Sequence, residues 1–139
     1  MSPTPAVLFV CVSNRGKSVM AQALTRKMAG AAISASSAGT AAAIGGHVNE
    51  LSAQVLAEVG AEVNDHHPRQ LTDDLMRAAD IIVVLGSSAE VAAPDGVVVE
   101  VWDTDEPSQR GIDGIDRMRV IRDDIAARVA GLTTRLTAS

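Results

Sequence analysis

Ala6-Val7-Leu8-Phe9-Val10-Cys11-Val12-Ser13-Asn14-Arg15-Gly16-Lys17-Ser18 is the stretch on which the fold of this chain turns. Its first six residues are apolar without alternation, the pattern of a strand covered on both faces in a parallel sheet. From 18 to about 29 the pattern becomes helical: Met20, Leu24 and Met28 recur at i+4, Val19 and Ala23 flank them, and Gly30 supplies a left-handed stop. A buried strand that passes through a short polar loop into a helix opens an α/β sheet. In such sheets ligands bind outside the carboxyl ends of the strands, so 11–18 is where a functional loop is expected.

The remainder repeats the alternation. A weaker strand at about 33–37 leads into the turn-like Ala38-Gly39-Thr40. Val48, Leu51, Val55 and Val59 give helical spacing, closed by Gly60. Thr72, followed by Asp73 and Asp74, caps a short helix, because hydroxyl and carboxylates suit its orphan N–H groups and dipole. Residues 81–85 and 97–101 are short, β-branched, strand-like runs. Ile115, Met118, Ile121, Ile125, Val129 and Leu132 form one stripe on a last helix. Its Arg/Asp face reads as a solvated surface with i, i+4 pairs such as Asp124 and Arg128. The pattern predicts an α/β fold, a three-layer sandwich around a four-stranded parallel sheet. With no internal repeat and no linker, residues 1–139 read as a single domain.

Composition narrows the function. A net charge of −5 disfavours a general nucleic-acid surface. One Phe, one Trp and no Tyr leave almost nothing for base stacking and require an aliphatic core; Trp102 suits either core packing at a strand end or a pocket wall. The single cysteine, Cys11, excludes an internal disulfide and a Cys-based zinc cage. His66 and His67 are adjacent rather than at i, i+4 and read as a polar loop, and His47 has no obvious partner; no metal is expected. The apolar run 6–12 is too short to span a membrane and lacks a signal-peptide pattern, so no membrane partner and a cytoplasmic location are expected, with Cys11 a free thiol.

The loop has the makings of an oxyanion site. Asn14 and Gly16 tolerate positive φ, which folds successive N–H groups into a nest at a helix N-terminus. The candidate cradle is Val12, Ser13, Asn14, Arg15, Gly16, Lys17 and Ser18, with Lys17 adding a formal charge. Arg15 is open between anion binding and solvent. Cys11, at the strand end facing this field, is placed to act as a thiolate nucleophile, with the Ser18 hydroxyl able to donate to its sulfur. Gly16-Lys17-Ser18 also matches the tail of a Walker A loop. However, Cys11 stands where that motif has its first glycine, and Asp80 precedes its strand instead of following it as a magnesium ligand would.

Cys11, five residues, a cation and Ser18 together resemble the active-site loop of low-molecular-weight protein tyrosine phosphatases and the arsenate reductases that share their fold. The resemblance extends through Ser37-Ala-Gly-Thr40, His67-Pro-Arg-Gln-Leu-Thr72, Ala79-Asp-Ile-Ile-Val-Val-Leu85 and Trp102-Asp-Thr-Asp-Glu-Pro107. It implies that Cys11 is the nucleophile and that a carboxyl before Pro107, Glu106 or the preceding Asp105, protonates the leaving oxygen. The catalytic set is then Cys11, Lys17, Ser18, Asp105 and Glu106.

Three departures from the family pattern refine the expectation. Lys17 stands where the family has Arg, and a point charge grips a tetrahedral anion less well than a planar fork; this motivates a third possibility, a non-catalytic oxyanion-binding protein on the same scaffold. Ser108 follows Pro107 where phosphatases often place an aromatic. Leu85-Gly-Ser-Ser-Ala89 contains no resolving cysteine. A lone cysteine with a G-K-S loop, a Glu-Pro acid loop and a helix like 114–125 is similar to arsenate-mycothiol transferases. That resemblance implies arsenate as substrate, mycothiol as co-substrate with no bound cofactor, and a mycoredoxin- or glutaredoxin-like reductase as partner, in detoxification. The alternative is a phosphatase working through a phosphocysteine.

Overall fold

The strand β1 (Ala6–Cys11) is buried from Val7 to Cys11. In the computed structural model, which describes residues 4–63 and 65–138, it occupies the interior of a parallel sheet. β2 (Ser34–Gly39) lies on one side, and β3 (Ile81–Leu85) with β4 (Val98–Trp102) on the other, in the order β2-β1-β3-β4. The helices are α1 (Lys17–Ala29), α2 (Glu50–Ala57), α3 (Asp73–Arg77) and α4 (Gly114–Thr137).

Alternation along the two interior strands divides the core. Val7, Phe9, Ile81, Val83 and Leu85 pack against α1, α2 and α4. Leu8, Val10, Ile82 and Val84 face the opposite side, where Met76 of α3 and the apolar residues of 89–97 cover them. The three layers follow from that division. Trp102 is core: its ring centroid lies 5.9 Å from that of Phe9, and its indole N–H donates to Glu100 at 2.8 Å. On α4 the buried residues are Met118, Ile121, Ile125, Val129 and Leu132, with Ile115 partly buried.

Several boundaries differ from the sequence expectation, each through a tertiary partner. β2 continues through Ala38 and Gly39, because Val10 and Cys11 pair with them and override their turn composition. α1 begins one residue earlier and is buried all round from Ser18 to Thr25, while Met28 is exposed beyond the packed region. α2 starts where the Asn49 side chain accepts from the Ser52 N–H at 3.1 Å. That cap turns Ser52, Val55 and Leu56 inward and leaves Leu51 and Val59 exposed, shifting the expected stripe. β4 begins at Val98, one residue later than the apolar run; as an edge strand it leaves Val98 and Val101 largely exposed.

The Arg-rich face of α4 is not simply a solvated surface. The Asp124–Arg128 pair is present at 3.2 Å, but Arg119 and Arg122 grip Glu58 beyond α2, and Arg135 reaches Glu100 of β4. Asp80, before β3, accepts the Ala6 N–H at 2.7 Å and ties the start of β1 to β3.

Gly39 sets the distance between β2 and the loop after β1. A Cβ there would lie 2.5 Å from the Val12 carbonyl oxygen and 3.0 Å from the Asn14 nitrogen, both backbone atoms with little freedom to move. Gly39→Ala should therefore destabilise the fold by about 2 kcal/mol. Thermal unfolding should show this as a melting temperature lower by roughly 6 °C; an unchanged value would disprove the tight approach.

Candidate active site

The backbone between Cys11 and Gly16 has all its carbonyls turned outward. Cys11, Val12 and Ser13 accept from the N–H groups of Thr40, Ala41 and Ala43 at 2.9–3.0 Å. Asn14 has His66 Nε2 at 2.9 Å from its oxygen, Arg15 accepts from Asn49 N–H at 2.9 Å, and Gly16 accepts from Met20 N–H at 2.9 Å. No backbone N–H from Val12 to Gly16 donates to another group among the described residues. A loop whose carbonyls are tied from outside, and whose amides are not, concentrates positive partial charge on its inner side. The first turn of α1 adds its own free N–H groups.

Asn14 is what lets the chain turn this way. It is fully buried, with φ +58°, a left-handed conformation that asparagine tolerates better than most side chains. Its Oδ1 accepts the Arg69 N–H at 3.0 Å and its Nδ2 donates to Ser18 Oγ at 2.9 Å. Ser18 Oγ in turn lies 2.9 Å from Cys11 Sγ. With Asn14 donating to one lone pair of the serine oxygen, the hydroxyl can still accept from a thiol or donate to a thiolate. Burial pushes His66 below the usual imidazole value, favouring the neutral ring whose Nε2–H meets the Asn14 carbonyl.

The motif stretches quoted from the sequence act as struts. Arg69 Nε donates to the Ser37 carbonyl at 2.9 Å, and Gly39 N–H donates to the Arg69 carbonyl at 2.9 Å. The Gln70 amide brackets Thr40 and Ala42, which belong to the segment that ties down the loop carbonyls. Thus 37–43 and 66–70 hold the loop rather than touch a ligand themselves.

Cys11 opens onto a pocket of about 410 Å³ whose wall includes Ser13, Gly16, Lys17, Gly86 and Glu106. The Cys11 side is almost closed, the residue being only 8% exposed. Lys17 enters no ion pair among the described residues. Its Nζ stands beside Gly86, 3.8 Å from where a Cβ there would be. Neither aromatic side chain of the protein lines this pocket. A larger cleft of about 530 Å³ lies behind the loop around Gln22, His66 and Arg69, and does not include Cys11.

The candidate site residues separate on this geometry. Cys11, Ser18 and Lys17 come together, and the amides of 12–16 surround them. The Arg15 side chain does not join: it is exposed, and its Nε donates to the backbone carbonyl of His47 at 2.7 Å. Glu106 reaches the pocket wall; Asp105 does not. Both carboxylates are held in two-point ion pairs, Asp105 by Arg110 at 2.7 and 2.9 Å, and Glu106 by Arg117 at 2.6 and 2.9 Å. The Arg117 guanidinium, with the Ser108 hydroxyl, holds the Glu106 carboxyl down at about 2. Arg110 likewise lowers Asp105 below its usual range. The pocket also brings in Ser87, Ser88, Asp103, Thr104 and Gln109, which the motif reading omitted. Most of them follow the carboxyl ends of β3 and β4, the same rule that located the first loop.

Among the described residues no three His, Cys, Asp or Glu side chains are grouped to share a metal, and no helix is long and apolar enough to cross a membrane.

Comparison with known proteins gives concordant matches. A family model described as low molecular weight phosphotyrosine protein phosphatase matches residues 6–139. Arsenate reductase 1 of Staphylococcus epidermidis is 31% identical over 134 residues, covering 94% of this chain and 96% of that protein. The structure of the thioredoxin-dependent arsenate reductase of Corynebacterium glutamicum superposes with a TM-score of 0.79 at 31% identity; the match covers 97% of this chain and spans 63% of that one. A tyrosine phosphatase of Erwinia amylovora shares the fold at a TM-score of 0.81 with 20% identity, covering 98% and 95% of the two chains.

The Glu106–Arg117 pair has a measurable signature. A carboxyl at about 2 in the fold, against 4.5 ordinarily, stabilises the native state above pH 4.5, and that contribution is lost as pH falls toward 2. Arg117→Met should therefore flatten the fall of stability across this window in chemical denaturation at stepped pH. An equally steep fall in the variant would show that the pair contributes nothing to the acid limb.

Proposed function

The chain belongs to the low molecular weight phosphotyrosine protein phosphatase family, and from that premise we propose that it is an arsenate reductase working as an arsenate–thiol transferase. The observation that carries this reading is a pocket at Cys11 without an aromatic side chain, beside a loop of unpaired amides. Phe9 and Trp102 are committed to the core, so no ring remains to sandwich a phenyl group. A small inorganic oxyanion needs only the amides and Lys17.

In this mechanism arsenate sits in the cradle from Val12 to Ser18. The Cys11 thiolate attacks arsenic, a sulfur–arsenic bond forms, and one arsenic–oxygen bond breaks as a protonated oxygen leaves as water. The Ser18 hydroxyl and the loop amides stabilise the sulfur's negative charge before attack and when the thiolate is regenerated. With Cys11 the only cysteine, no internal thiol is available to displace the arsenic. A low-molecular-weight thiol, mycothiol by resemblance, attacks arsenic and releases Cys11. A separate mycoredoxin- or glutaredoxin-like protein then attacks the sulfur of the adduct, forming a mixed disulfide and releasing arsenite as arsenic takes up two electrons. Such a cycle belongs in a reducing, cytoplasmic setting where Cys11 stays a thiol.

Hydrolysis of phosphate monoesters through a phosphocysteine is the second reading, favoured by the family description itself. Incubation with arsenate, mycothiol and the redoxin should yield arsenite, and Cys11→Ser should abolish it. Full turnover by Cys11→Ser would sink both readings. Rapid, Cys11-dependent cleavage of an aryl phosphate with no arsenite formed would select the phosphatase.

A further inference from the structure

We propose that the cleft behind the anion loop is a second oxyanion site, one that takes a phosphate-class anion, free or as the head of a small phosphate ester. It lies apart from Cys11 and does not depend on which reaction Cys11 performs.

The struts 37–43 and 66–70 face the loop on one side. Their other side opens to the cleft of about 530 Å³, whose wall includes Gln22, Arg26, Ser36, His66, His67 and Arg69. The sheet spaces the two arginines. Arg26 Nη2 donates to the Ala35 carbonyl at 2.9 Å, and Arg69 Nε donates to the Ser37 carbonyl at 2.9 Å. β2 is an edge strand, and carbonyls two residues apart along its outer edge stand about 7 Å from each other. Closing those carbonyls uses one N–H group of each guanidinium. Among the described residues the remaining N–H groups have no partner, and neither arginine enters an ion pair. A tetrahedral anion between two such forks accepts from both.

The floor of the cleft is also a donor. Gln22, on α1, is only 7% exposed. Its Oε1 accepts the Ser37 hydroxyl at 2.8 Å, while its amide N–H groups find no partner among the described residues. A buried donor left open is costly, and an anion oxygen satisfies it. Glu62 and Asp65 line the cleft too, but both are exposed and neither pairs with a basic group among the described residues. What the cleft has to spare near its floor is therefore hydrogen-bond donors and positive charge.

That charge converges on His66, whose Nε2 lies 2.9 Å from the Asn14 carbonyl oxygen. Burial, together with the positive charge of His67, Arg26 and Arg69, works against a second proton on the ring. An anion bound among these groups offsets their repulsion and raises the proton affinity of His66. Occupancy of the cleft is thus readable at one imidazole.

The test is run with the front cradle closed. Iodoacetate alkylates Cys11, the only cysteine, and leaves a tethered carboxylate in the loop. Inorganic phosphate and, in parallel, glycerol 3-phosphate are titrated into the alkylated protein. Proton NMR follows the His66 ring signals, identified by their loss in His66→Gln. Binding should be saturable and should move the His66 titration to higher pH, whereas sodium chloride at the same ionic strength should leave it in place. Arg26→Gln should weaken the affinity about tenfold. His67→Gln, at a side chain with no hydrogen bond among the described residues, should weaken it in the same direction. Tighter binding of the ester assigns the cleft to a phosphate ester, and tighter binding of phosphate assigns it to the free anion. Absence of saturable binding by either, an equal response to chloride, or unchanged affinity in both variants overturns the proposal.

Discussion

The pairing of the loop carbonyls from Cys11 to Gly16 is the interaction on which the rest of this molecule depends. Six consecutive acceptors find partners outside the loop, in 40–43, His66, Asn49 and the first turn of α1. Buried or not, a backbone that satisfies every acceptor outward presents its donors inward. The positive inner surface therefore needs only one formal charge, Lys17, to complete it. It also explains the closeness of β2: Gly39 is backbone against backbone at the loop, so that Thr40 to Ala43 can reach the carbonyls.

Asn14 joins this scaffold to the chemistry. One buried side chain supports a left-handed turn, binds the Arg69 amide and donates to Ser18, which contacts the sulfur. The strut from 66–70 is thus coupled to Cys11 through a single residue. On the other wall, α4 performs the matching task with its arginines. Arg117 binds Glu106, Arg128 binds the Asp103 carbonyl, and Asp124 accepts the Asp105 N–H at 2.8 Å. A helix whose polar face reads as solvated in sequence fixes the loop that closes the pocket.

Much of this was legible in the chain. The unalternating run before Cys11 identifies a doubly covered strand, five of the six stripe residues on α4 are buried with Ile115 half-buried, and the strand–loop–helix pattern brings Cys11 and Ser18 to the same junction. What was not legible involved partners distant in sequence. Ala38-Gly39 reads as a turn because a parallel neighbour is invisible to local composition. The α2 stripe departs from the sequence spacing because the Asn49 cap fixes the helix's rotation. Arg15 has no local partner in sequence because the His47 carbonyl it binds lies thirty-two residues away.

The sequence by itself determined the fold class and the place of Cys11 between a strand and a helix, since both are carried by residues close together in the chain, and its composition leaves Cys11 the single cysteine. Only the tertiary structure decided which of the carboxylates after β4 are paired. Asp105, Glu106 and Asp103 are the same kind of residue in sequence. They differ because Arg110 and Arg117 neutralise the first two, while Arg128 binds only the backbone of the third. Charge pairing is set by distances in space, and no local pattern records it.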